Sequence, residues 1–138
     1  MIITDDPEAI RRVLIGSKTI AVVGCSPKPD RDSHQIAKWL IEKGYDVIPV
    51  NPAAPEILGR KCYPDVKSLP KRPDIVNVFR ASEAVPPIAD EAIAAKTDCL
   101  WLQSGIVHDD AARKASDAGL YVIQDRCIRT LHTVLVRG

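Results

Sequence analysis

The sequence predicts an α/β domain built on a parallel, doubly wound sheet, and three observations carry that prediction. Five short apolar runs, at residues 19–24, 46–50, 74–79, 99–103 and 121–124, recur along the chain and give way to glycine or polar residues. Continuous apolar runs of this length mark strands covered on both faces. Segments with helical spacing lie between most of them, and strand–helix alternation requires right-handed crossovers and therefore parallel pairing. Finally, 138 residues with 46% hydrophobic and 27% charged side chains supply one core and leave no room for a second domain.

The first helix opens at Asp6, a capping residue followed by Pro7 and by Glu8 in the first turn; Ile10, Val13 and Leu14 then repeat at helical spacing as far as Gly16. The first strand is a largely β-branched run that Gly24 stops. Beyond a polar loop with Pro27 and Pro29, a second helix starts at Ser33, pairs Ile36 with Leu40 and Ala37 with Ile41, and stops at Gly44. After the second strand, residues 51–72 hold Pro52, Pro55, Pro64 and Pro70 with no sustained period. They read as a long excursion with at most a small strand around 61–63. The third strand precedes a helix from Pro86 and Pro87 to Ala95, on which Ile88, Ala92 and Ala95 share a face. The fourth strand follows. His108 or Asp109 caps a helix to Ala118 that Gly119 ends, and the fifth strand comes next. The tail, 129–136, fits either helix or strand by pattern and is assigned as helix. Trp39 and Trp101 fall in core patterns, and His108 and His132 read as surface residues.

Nineteen basic and eighteen acidic residues leave a net charge of +1, which gives no long-range attraction for nucleic acid or an anionic membrane. The apolar runs at 13–15 and 20–23 are too short for a signal core or a membrane span. Asp5, Asp6 and Glu8 occupy the place of a positive leader segment, so a cytoplasmic location is expected. Cys25, Cys62, Cys99 and Cys127 are far apart with no CxxC pair, which argues against zinc and against a disulfide framework.

In an open parallel sheet, ligands bind beyond the carboxyl ends of the strands, at the point where the winding reverses. The loop at 24–28 offers a permissive backbone at Gly24, the Ser26 hydroxyl and the Lys28 ammonium shortly before a helix N-terminus, a combination that suits a pyrophosphate. A side chain at Gly24 is expected to fill the space the phosphates require. The dinucleotide fingerprint GxGxxG is nevertheless absent: only its first glycine is matched, with Ser26 and Pro29 in the other two places. An ordinary strand-to-helix turn would explain the loop as well. At the end of the second strand, Asn51 replaces the acidic residue of an NAD site. A neutral amide avoids repelling a phosphorylated ribose, as in NADP or coenzyme A, with Lys28, Arg31 or Arg60 as countercharge. Turn chemistry alone also accounts for Asn51 and Pro52. Arg80 reaches the rim beside Phe79, where it either binds an anion or pairs with Glu83 or Asp125. Gln103, Ser104 and Gly105 suit an uncharged, amide-rich arm such as pantetheine.

The segments VVGCSPKPDRDSHQIAKWL, YDVIPVNPAAPEILGRKCYPDV, DIVNVFRASEAVPPIADEAI and WLQSGIVHDDAARKASDAGLYVIQDRC resemble the small stand-alone CoA-binding proteins. These are related to the CoA-binding domain of the succinyl-CoA synthetase α subunit and of ADP-forming acyl-CoA synthetases. The likeness covers nearly the whole chain, and VNP with ILGRKCYP, VFRxSEAVPP and WLQxG are together specific to the family. It implies a Rossmann-like, three-layer sheet of five strands in the order 3-2-1-4-5. It also implies a CoA nucleotide on Gly24, Cys25, Ser26, Pro27, Lys28 and Pro29 with Asn51 and Pro52. The pantetheine would then run past Phe79 and Arg80 to Leu102, Gln103 and Ser104. Two departures stand out: Pro27 and Pro29 stiffen the phosphate loop, and Ala53 or Ala54 falls where the synthetase subunit has a lysine. The synthetase domain with the phosphorylated histidine has no counterpart, so no ligation is expected. The whole chain, 1–138, thus reads as one domain, a monomer or homodimer that binds CoA or acyl-CoA without catalysis or metal. The alternatives are an NADP-dependent enzyme, a thiol enzyme using Cys25 with His34 as base, and an interaction domain with a vestigial pocket.

Overall fold

Seven strands and five α-helices make up the computed structural model, which describes residues 1–136. The strands are β1 (Thr19–Val23), β2 (Asp46–Val50), β3 (Glu56–Ile57), β4 (Arg60–Lys61), β5 (Ile75–Val78), β6 (Cys99–Leu102) and β7 (Tyr121–Ile123). The helices are α1 (Pro7–Gly16), α2 (Asp32–Glu42), α3 (Val85–Ala95), α4 (Asp109–Asp117) and α5 (Ile128–Leu135). Five strands pair in parallel in one sheet, and β3 and β4 form a separate antiparallel hairpin within the excursion after β2. The expected α/β class, the five long strands and the helical tail are all observed.

The order of the sheet is β2-β1-β5-β6-β7, not the one the resemblance implies. In chain order of the long strands this is 2-1-3-4-5, because β5 pairs with β1 rather than lying outside β2. Pro49 explains the difference. Gly24 N–H donates to Val50 O on the β1 side, so by alternation the Pro49 backbone faces outward, where its carbonyl accepts from Tyr63 N–H. A proline on that edge has no N–H to give, which limits the outer neighbour to the single parallel bridge between Val50 and Tyr63. The winding still reverses beside β1, so the crevice lies between the ends of β1 and β5.

Alternation along the strands sends side chains to two cores. Ile20, Val22, Ile75, Cys99 and Trp101 face Ile10, Leu14, Ile36, Leu40 and Ile128 of α1, α2 and α5. Ala21, Val23, Val76, Val78 and Leu100 face Val85, Ala89, Ala92, Ala111 and Ala115 of α3 and α4. Alanine on both α3 and α4 lets the two helices lie close over one face. Asp6 caps α1 by accepting from Ala9 N–H at 3.1 Å, and His108 Nδ1 caps α4 by accepting from Ala111 N–H at 3.1 Å. The segment before α1 adds an unforeseen contact: Ile2 bridges Val122, and Ile3 N–H donates to Val122 O at 2.8 Å. None of the helices among the described residues is long and apolar enough to cross a membrane.

Candidate functional site

The carboxyl edge of the sheet is assembled around Gly24, which turns the chain out of β1 with φ +83. A Cβ there would lie 2.9 Å from Arg80 Cδ and 3.2 Å from Phe79 O. The glycine is therefore demanded by the end of β5 pressing against the turn, a tighter reason than the phosphate space expected from sequence. Cys25 follows, fully buried, with its thiol pushed up to about 12 by burial and, secondarily, by Cys62. His34 is not its base: the ring Nδ1–H donates to Ser26 O at 2.9 Å. Burial thus disfavours the Cys25 thiolate, and the side chain packs as a small apolar residue in the first core.

The rest of the loop closes on itself before any ligand arrives. Ser26 N–H donates to Ser33 Oγ at 2.9 Å, Lys28 N–H donates to Ser26 Oγ at 3.1 Å, and Arg31 N–H donates to Lys28 O at 3.1 Å. Pro27, Lys28 and Pro29 are exposed. The hollow over this loop measures about 500 Å³ and is lined by Gly24, Ser26, Lys28, Arg31, Asp32 and Phe79, among others. Lys28 and Arg31 make no ion pair among the described residues. Asp30 and Asp32 share the hollow and offset part of that positive charge.

Asn51 ties the two loops together: its Nδ2–H donates to Cys25 O at 2.9 Å, and its Oδ1 accepts from Ala53 N–H at 2.8 Å. An aspartate could not make the first of these bonds, so the neutral amide has a structural reason besides charge. Pro52 lines a second hollow, of about 250 Å³, with Val23, Gly24, Val50, Val66, Arg80 and Ile88. Arg80 is exposed at its rim. Neither expected partner engages it, since Asp125 Oδ1 instead accepts from Gly105 N–H at 2.7 Å and no ion pair of Arg80 occurs among the described residues. Arg60, a candidate countercharge, lies at the wrong end of β2, where it pairs with Asp46 at 3.4 Å.

At the end of β6 the sequence expectations divide. Leu102 is fully buried among the second core because its side chain points to the α3 and α4 face and away from the edge. Gln103 is 5% exposed, and its Oε1 accepts from Asn77 Nδ2–H at 3.1 Å and Ile128 N–H at 3.2 Å. Ser104 is exposed. Phe79, Gln103, Ser104, Asp32, Ile106 and Cys127 line a third hollow, of about 280 Å³. Gly24 borders the first and second hollows and Phe79 the first and third, so the three run along one edge. Sequence reasoning missed Cys127 and Asn77 here. The signal for Asn77 was a lone amide inside an apolar strand, and Cys127 gave none. His132, expected on the surface, is half-buried between Trp39 and Tyr45, with ring centroids 5.1 and 5.8 Å away.

Comparison with known proteins places these features in a lineage. A family model described as CoA binding domain matches residues 18–133. The uncharacterized protein YneT of Bacillus subtilis (strain 168) is 42% identical over 125 residues, covering 91% of this chain and 93% of YneT. A hypothetical protein from Pyrococcus horikoshii OT3 superposes with a TM-score of 0.92 at 40% identity, over 95% of this chain and 92% of that one. The ADP-forming acetate–CoA ligase I of Archaeoglobus fulgidus is 35% identical over 74 residues, which are 54% of this chain and 11% of the ligase.

Proposed function

Since the chain belongs to the CoA-binding domain family, we propose that it binds coenzyme A or an acyl-CoA in extended form along the carboxyl edge of the sheet. The pyrophosphate lies over residues 24–29, against the start of α2, with Asn51 and Pro52 at the adenosine end. The pantetheine passes Phe79 and ends beside Gln103 and Ser104. The observation that carries this reading is Arg80, an unpaired guanidinium laid against the Gly24 turn between two hollows. An exposed cation with no protein partner, beside a turn that admits no side chain, suits a phosphate. The continuity of the three hollows supports an elongated ligand over a compact one.

The same reading has the chain bind its ligand without catalytic turnover of its own. Burial pushes the Cys25 thiol up and disfavours its thiolate. In the ligase, the matched segment is a small fraction of a much longer protein. Thermal melting tests the ligand: CoA at 100 times its Kd should add about 2.7 kcal/mol of stability. NADPH at equal concentration should add far less. A larger shift with NADPH than with CoA would contradict the proposal.

A further inference from the structure

The third hollow ends on Cys127, half-buried at the N-cap of α5 and facing Gln103, Ser104 and Phe79. Its three fellow cysteines are buried, and burial pushes each of their thiols up. Cys127 goes the other way. Burial raises its pKa too, but the Thr130 hydroxyl and N–H, the Gln103 amide and the Arg129 N–H outweigh that and bring it below the usual thiol range. These groups act as hydrogen-bond donors to the sulfur and so favour the thiolate. Behind Gln103 stands Asn77, fully buried, whose Nδ2–H donates to Gln103 Oε1 while its Oδ1 has no partner. A buried carbonyl oxygen without a donor is expensive, and this one lies one hydrogen bond behind the Gln103 amide that lines the hollow.

A thiolate-prone cysteine, an amide-lined wall and an elongated groove converge on one ligand chemistry, a flexible arm with amides along it and sulfur at its tip. We propose that Cys127 captures the sulfur of bound CoA as a mixed disulfide, an inference that rests on the binding mode above. The co-reactant is a disulfide of CoA. The Cys127 thiolate attacks the sulfur of the bound half, the S–S bond of that disulfide breaks, and a new S–S bond joins Cys127 Sγ to the bound pantetheine sulfur. The departing CoA leaves as a thiolate and takes its proton from water. One disulfide is consumed and one is made, so no external oxidant enters, and a free thiol reverses the step. The edge would then hold CoA loosely when thiols are reduced and covalently when CoA disulfide accumulates.

The test incubates the full chain with CoA disulfide and, separately, with glutathione disulfide, followed by intact mass measurement and peptide mapping. One CoA adduct on Cys127, removed by dithiothreitol and formed at least about tenfold faster than the glutathione adduct, is the expected result. Cys127→Ser should form no adduct with either disulfide, because the attacking sulfur is gone. Equal rates with the two disulfides, or an adduct on Cys25 or Cys62, would overturn the capture. So would reduced CoA binding with no adduct at all, which leaves the binding mode intact. Failure of reduced CoA to bind the parent protein would instead remove the binding mode itself.

Discussion

Replacing Gly24 by valine forces a left-handed backbone on a β-branched residue and drives a Cβ to within 2.9 Å of Arg80 Cδ. The conformation alone costs about 1–2 kcal/mol, and Arg80 has to move, so urea denaturation should show a loss of at least that size together with weaker CoA binding. Full stability in the variant would mean that β5 does not press on the turn. Arg80→Ala separates recognition from folding. Its side chain is exposed and unpaired, so the melting temperature should stay near the parent value while CoA binding weakens by about 1.5–3 kcal/mol, the range for a hydrogen bond to a charged group. Identical calorimetric titrations for the two proteins would take Arg80 out of the site. Asn51→Asp sets an acceptor against Cys25 O and should destabilise the fold by about 1–3 kcal/mol, measurable by the same denaturation. At this scale the sequence showed which residues gather at the edge, because strand ends are marked by where apolar runs stop. It could not show what each side chain does there. Asn51 and Gln103 look like ligand amides in sequence, yet both are tied to protein by bonds that span 26 and 25 residues of chain.

Strands and helices were legible because their boundaries carry local chemistry: Asp6 with Pro7 at α1, glycines after α2 and α4, β-branched runs in β1 and β5. The order of strands is a long-range property, and the resemblance pointed the wrong way. Pro49 held the correction, since a proline inside a strand belongs on an edge. The tail was ambiguous because its apolar residues fit two periods; only packing of Ile128, Leu131 and Leu135 against α1 and α2 makes it helical. That packing leaves a pH signature. Burial, and then the Lys43 ammonium, hold His132 below its usual value of 6.5. Other groups near this junction are Arg129, over the Trp39 ring at 5.7 Å, and Tyr45, whose ring centroid lies 5.8 Å from that of His132. A histidine with a depressed pKa binds fewer protons folded than unfolded, so its contribution to stability is present above 6.5 and is lost as pH falls through that value. Stability measured by denaturant should therefore decline from pH 7.5 to pH 5.5, and His132→Phe, which keeps the aromatic contact, should flatten the decline. An unchanged slope in the variant would show that α5 does not sense pH through this ring.

For the molecule as a whole, two apolar faces fix the helices on either side of the sheet and leave open the carboxyl edge, where the five parallel strands end. The three hollows follow from that geometry. Their contents differ along the edge: cations and a closed loop over β1, an apolar slot with Arg80 beside β2, and an amide wall with Cys127 beyond β6. A ligand that matches all three must be charged at one end and neutral with sulfur at the other. Titration calorimetry with CoA, 3′-dephospho-CoA and pantetheine separates these parts most directly. One site per chain for CoA, reduced affinity without the 3′-phosphate and weak but detectable heat from pantetheine is the outcome the extended binding mode predicts. Saturable heat from another nucleotide in the same cleft, with none from CoA, would contradict it.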